Sequence, residues 1–171
     1  MNTNLLEPER YELDKLLKHY QNSEFVEAEK LALSITKKFP NHSFSWKVLG
    51  SIYEKTERKS KALIAKQKAI AINPKDAEAY CNLGNTFQDL ARLSEAEESF
   101  REAIKLKPDF AEAFNNLGNT LRILGKEIEA EICYRKAISL KEDNIEAYLN
   151  LTNILKESNK YQDLILIYQK I

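Results

Sequence analysis

Few side chains in this sequence could do chemistry unaided. His19 and His42 have no neighbouring cysteine or acidic cluster at metal-ligand spacing, so both read as surface or helix-cap residues. Cys81 and Cys133 lie far apart in different helical segments, a pattern that suits a reducing compartment, and Cys133 reads as a small packed hydrophobe. Carboxylates come in runs (Glu95, Glu97, Glu98; Glu127, Glu129, Glu131) that on a helix make a solvated face. No glycine-rich dinucleotide loop, phosphate loop or nucleophile elbow occurs. The reading is a protein without catalysis of its own, without cofactor and without bound metal.

Amides carry the clearer signal. Asn82, Asn116 and Asn150 recur at intervals of 34 residues, and Asn85, Asn119 and Asn153 follow each of them by three. On a helix, residues three apart share nearly the same face. An amide both donates and accepts, so it can pair with a peptide backbone whatever its sequence. Neighbouring packed helices lie about 8–10 Å apart and an extended chain advances about 3.3 Å per residue, so one amide would meet roughly every third peptide residue. The first file is expected to contact such a ligand. The second file either joins it or ties neighbouring helices together.

The elements that must position these amides repeat with the same period. Pro40, Pro74 and Pro108 are 34 residues apart, as are Gly50, Gly84 and Gly118, and the aromatics Trp46, Tyr80, Phe114 and Tyr148. Leu49, Leu83, Leu117 and Leu151 follow suit, with Ala62, Ala96 and Ala130, and Ala69, Ala103 and Ala137. Each unit reads as two helices. In residues 77–110, Asp76 caps a first helix bearing Ala79, Tyr80, Leu83, Phe87 and Leu90. After a break at Ala91-Arg92, Ser94 and Glu97 fit a capping box for the second helix, which stops before Pro108. Gly84 and Ala96 let backbones approach while Tyr80 and Phe100 fill the space beside them. Gly125 and Asn159 suit the left-handed turn that ends a helix.

These phrases, above all Ala79-Tyr80-Cys81-Asn82-Leu83-Gly84-Asn85 and Ala113-Phe114-Asn115-Asn116-Leu117-Gly118-Asn119, resemble the tetratricopeptide repeat (TPR). The resemblance implies an all-α fold, a right-handed α-solenoid of stacked helix–turn–helix units, here a single array at residues 9–42, 43–76, 77–110, 111–144 and 145–171. It also implies that first helices line a concave groove. The three amides would then resemble the asparagine ladder in the repeat domain of O-linked N-acetylglucosamine transferase, and Cys81 would face the groove. Val48 breaks the ladder in the second unit, and a row of Glu78, Glu112 and Glu146 disfavours capture of a C-terminal carboxylate. The first unit departs from the pattern and reads as an N-terminal cap. Lys66 stands where later units carry Phe100, Tyr134 and Tyr168, so packing should loosen there and Lys66→Ala should destabilise much less than Phe100→Ala.

Formal charge is zero overall but uneven: eight basic against three acidic residues in 43–76, four against seven in 77–110. The run Arg58-Lys59-Ser60-Lys61 reads as a solvated face rather than a nucleic-acid site, because no aromatics interleave with it. Hydrophobic residues make up 43% and charged residues 30%, too apolar and too charge-balanced for a disordered chain. No segment is apolar enough to span a membrane and Met1 to Pro8 has no signal-peptide character, so a cytoplasmic location is expected. Leu164, Ile167 and Ile171 form an apolar edge without a capping helix, a candidate interface for self-association through the last repeat. The sequence thus supports a protein- or peptide-binding scaffold, with two alternatives: the substrate-recruiting arm of a larger glycosyltransferase-, sulfotransferase- or methyltransferase-type enzyme, or a self-assembling array.

Overall fold

A computed structural model describes residues 7–168. Among them are ten α-helices and no strand: α1 (Arg10–Gln21), α2 (Phe25–Lys38), α3 (Ser43–Lys55), α4 (Lys59–Ile72), α5 (Ala77–Asp89), α6 (Leu93–Leu106), α7 (Ala111–Ile123), α8 (Glu127–Leu140), α9 (Ile145–Glu157) and α10 (Tyr161–Tyr168). They fall in the 34-residue frame as five successive helix pairs.

One turn design recurs in all five pairs. Gly125 (φ 74°) and Asn159 (φ 56°) adopt the left-handed conformation, and so do Ser23, Glu57 and Ala91 at the same register. Glycine is therefore not required here. A left-handed non-glycine residue costs roughly 1–3 kcal/mol. The turn offsets this by closing a Schellman hydrogen bond: Glu24 N–H donates to the His19 carbonyl, Arg58 to Tyr53, Lys126 to Leu121 and Lys160 to Leu155, at 2.8–2.9 Å.

Helix starts follow two patterns. Asp76 and Asn144 cap α5 and α9 by accepting from the backbone of Ala79 (3.0 Å) and Ala147 (3.1 Å). The capping box expected of Ser94 and Glu97 is absent. The N-cap of α6 is Arg92, two residues earlier than Ser94, and the helix begins at Leu93, so Ser94 already lies inside it. Arg92 pairs instead with Glu95.

The chain forms two compact units that divide after Leu90, in the turn between α5 and α6. In the first, Leu16, Ala28, Ala32, Ile35, Leu49, Ile52 and Ala62 are sealed from solvent. In the second, Phe100, Tyr134, Leu121, Leu151, Ile154 and Leu155 play that part, among the fully buried alanines Ala96, Ala103, Ala130 and Ala137. The repeated glycines mark close approaches. A Cβ on Gly118 would stand 2.6 Å from the Tyr134 ring, and one on Gly50 would stand 2.8 Å from Lys66 Cγ.

Helix α10 packs on α9 and turns Leu164 and Ile167 inward, leaving them 8% and 7% exposed. The solvent-facing apolar residues of α10 are Tyr161, Ile165 and Leu166. The expected apolar edge is thus displaced by a residue or two, because a helix face is fixed by 3.6-residue periodicity rather than by the last positions of a sequence. Ile171 lies outside the described residues.

Candidate functional site

The amide files sit on first helices: Asn82 and Asn85 on α5, Asn116 and Asn119 on α7, Asn150 and Asn153 on α9. In the second unit they interlock on a diagonal. Asn150 Nδ2 donates to Asn119 Oδ1 at 2.9 Å and to Asn115 Oδ1 at 3.4 Å. Asn119 Oδ1 also accepts from the Tyr134 hydroxyl at 2.8 Å, while its Nδ2 reaches Glu146 at 3.4 Å. Both lone pairs of Asn119 are thereby engaged, and it joins α7, α8 and α9. Asn150 differs: its Nδ2 is committed, but its Oδ1 accepts nothing among the described residues. Asn82 and Asn153 make no side-chain hydrogen bond among the described residues, and Asn82 is half-buried where Asn153 is exposed.

Asn115 is the member the sequence reading missed. It is buried, at 3% exposure, and lies beneath Asn150 as an acceptor. Its register mates are Lys47, Cys81 and Leu149, so only the run of two amides at Asn115 and Asn116 was available as a signal. Cys81 shares that register and is buried as well. The thiol is 2% exposed, so it does not line an open groove as expected. Cys133 is buried too, and burial pushes its thiol up to about 11.

Lys66 overturns the expectation of loose packing. Its side chain is 4% exposed, and its stem lies on Gly50 as the Tyr134 ring lies on Gly118. The Nζ donates to Glu54 Oε1 (2.8 Å), Thr86 Oγ1 (2.7 Å) and the Asn82 carbonyl (2.9 Å). All three ammonium protons are used, which is what a buried charge requires.

Nor are the acidic runs merely solvated. Glu97 accepts from Lys126 (2.8 Å) and Arg101 (2.9 Å), and Glu131 from Lys160 (2.7 Å) and Arg135 (2.9 Å), with both carboxylates 13–14% exposed. Glu29 and Arg58 make the equivalent bridge in the first unit, at 2.5–2.7 Å. Acid and base stand 29 residues apart in each case, so successive helix pairs are stapled together. Burial raises the Glu97 and Glu131 carboxyls, but the hydrogen bonds from their Lys and Arg partners outweigh it and hold both below the usual range. For Glu29 the Arg58 hydrogen bonds dominate and act in the same direction.

The basic run is similarly committed to the fold. Arg58 lies over the Tyr53 ring at 4.6 Å, and Lys59 donates to the Asp89 carbonyl at 3.2 Å. His42 is the N-cap residue of α3 and bonds Ser45 at 2.7 Å, while His19 bonds Glu24 at 2.5 Å. Among the described residues there is no cluster of His, Cys, Asp or Glu suited to a metal, and no helix long and apolar enough to cross a membrane.

Sequence families described as Tetratricopeptide repeat match residues 77–110 and 111–144, and one described as TPR repeat matches 60–91. No curated protein matches the chain. Solved structures share the fold at low identity. One structure of MamA is 24% identical with a TM-score of 0.83, covering 90% of this chain and 90% of that one. Another, of MamA protein, is 23% identical at 0.83, covering 94% and 87%. Pseudomonas aeruginosa PilF is 19% identical at 0.85, covering 94% and 73%. With helix pairs, turns and packing alanines all on one 34-residue frame and these matches upon it, the chain belongs to the tetratricopeptide repeat family and is an α-solenoid.

Proposed function

We propose that this protein is a peptide-binding scaffold whose first helices hold an extended polypeptide through backbone hydrogen bonds to the asparagine files. The observation that carries the reading is the unused capacity at Asn150 and Asn82. Asn150 is held in place through its Nδ2 while its Oδ1 is left to accept, and Asn82 makes no side-chain hydrogen bond among the described residues. An amide fixed by one end and open at the other is pre-organised for a peptide N–H. Asn119, with its acceptor saturated, acts as the brace.

The alternative of a recruiting arm for a larger enzyme uses the same surface and differs only in what is attached to it. Self-association through the last repeat is a separate reading, supported by exposed Ile165 and Leu166 in place of the inward-facing Leu164 and Ile167.

The test is paired measurement on Asn82→Ala/Asn150→Ala, with a library of unstructured peptides of unrelated sequence. At about 0.5–1.5 kcal/mol per net hydrogen bond, binding should weaken by roughly 1–3 kcal/mol, or about five- to 150-fold, similarly for every peptide bound. Asn119→Ala should lower the melting temperature more than it lowers affinity. A double variant that melts early yet binds, when folded, with unchanged affinity would end the ladder reading.

A further inference from the structure

An asparagine amide is nearly symmetric in shape, so its partners decide which end carries the oxygen. At Asn119 that choice is forced from two sides. On one side stands the Glu146 carboxylate, which can only accept. Glu146 Oε1 lies 3.4 Å from Asn119, which must therefore turn its Nδ2 toward it. On the other side the Tyr134 hydroxyl lies 2.8 Å from Asn119 Oδ1. Burial pushes the Tyr134 phenol up to about 12, so the hydroxyl keeps its proton and has it to donate. The Arg122 guanidinium interacts with the same hydroxyl and can only donate, which leaves the phenol proton for Asn119.

The polarity of Asn119 then dictates that of Asn150. Asn119 Oδ1 can be met only by an N–H, and Asn150 Nδ2 meets it at 2.9 Å. The buried Asn115 Oδ1, 3.4 Å from the same Nδ2, favours the same orientation. Turning the Asn150 amide over would set oxygen against oxygen at both contacts. Its Oδ1 is left as the open end, and that end is an acceptor. Packing does not explain the Tyr134 hydroxyl. Phe100 stands at the same register in the preceding repeat, equally buried and without one.

We infer that Tyr134 and Glu146 are positioning residues that lock the Asn150 amide as an acceptor, so that this site selects a polymer by its backbone N–H. The inference rests on the peptide-binding reading and adds a rule to it: opposite Asn150 the ligand must offer a donor, and a carbonyl does not serve. Neither positioning residue has to touch the ligand.

Two probes test it on the full chain: an unstructured alanine–serine peptide, and its depsipeptide counterpart in which every backbone N–H is an ester oxygen. Affinity for each is read by nuclear magnetic resonance from the Asn150 side-chain amide signal. The unaltered protein should prefer the peptide. In Tyr134→Phe/Glu146→Gln nothing fixes the polarity of Asn119, since a glutamine amide can donate or accept. Asn150 is then free to turn, and the preference should shrink by roughly two- to tenfold, the worth of one hydrogen bond. Helical circular dichroism should be unchanged, as the Phe100 register predicts. Tyr134→Phe alone keeps Glu146 and should retain most of the preference. If the double variant keeps the full preference, the two residues do not set the polarity and the proposal falls. If the unaltered protein binds both probes equally, the proposal falls while the peptide-binding reading stands. If it binds neither, both fall.

Discussion

Truncating Lys66 measures how much a charged residue contributes at a position the repeat normally gives to an aromatic. Lys66→Ala removes three methylenes from a side chain that is 4% exposed, about 2 kcal/mol at roughly 0.8 kcal/mol each. It also removes an ammonium bonded to Glu54, Thr86 and the Asn82 carbonyl. Breaking a buried pair from one side typically destabilises by about 3–5 kcal/mol. Two features place this site at the low end. The Glu54 side chain is 31% exposed, so water can take over its solvation, and the Asn82 carbonyl keeps the Thr86 hydroxyl at 3.1 Å. A loss of about 3 kcal/mol follows, close to the roughly 3–5 kcal/mol expected for Phe100→Ala. Lys66→Met with Glu54→Gln keeps the stem on Gly50 and dispenses with the buried charge, so it should be neutral or stabilising by about 1 kcal/mol or more. Urea melts of the three variants, with slopes matching the parent, provide the comparison. If Lys66→Ala costs under about 1 kcal/mol while Phe100→Ala costs its full value, the ammonium is not seated as described and the loose-packing view returns.

Two further outcomes follow from the same geometry. Glu29, Glu97 and Glu131 are held below the ordinary carboxyl value of 4.5, so their contribution is complete above about that pH and is lost as pH falls through the lower folded-state values. Stability should therefore drop on acidification below about pH 4.5, and Glu97→Gln/Glu131→Gln should flatten that drop in urea midpoints; an unchanged acid profile would mean the staples do not persist in solution. With its thiol raised from 9.0 to about 11, Cys133 should hold about a hundredfold less thiolate at pH 8 than an ordinary cysteine, and Cys81 is 2% exposed. Thiol titration with an aromatic disulfide should find both cysteines slow in the native protein and fast in urea, whereas rapid labelling of one thiol without denaturant would restore Cys81 to an open groove.

Much of the fold was written in the period. A helix pair cannot bury its apolar face alone, so it must stack, and whatever recurs every 34 residues marks where the stack is tight. That is why Gly84 and Ala96 read as points of close approach from the sequence, and why Asp76 was legible as a cap. Local rules failed where two solutions compete locally. Ser94 and Glu97 satisfy a capping pattern, but Glu97 is held by Lys126 from the next helix pair, and that partner is invisible in a window of a few residues. The 29-residue spacing of acid and base was present in the sequence all along, yet it acquires meaning only when stacking sets those positions side by side.

The sequence alone determined the element order and the faces of most helices, because periodicity and backbone sterics act within about one turn. Tertiary structure decided what each polar side chain does. Lys66 is a satisfied buried cation, Asn119 a brace, Asn150 a half-open amide, and Leu164 an inward residue where Leu166 faces out. Burial and partner identity depend on helices brought together from 12 to 35 residues away, and hydrogen bonding and desolvation respond to that neighbourhood rather than to sequence order.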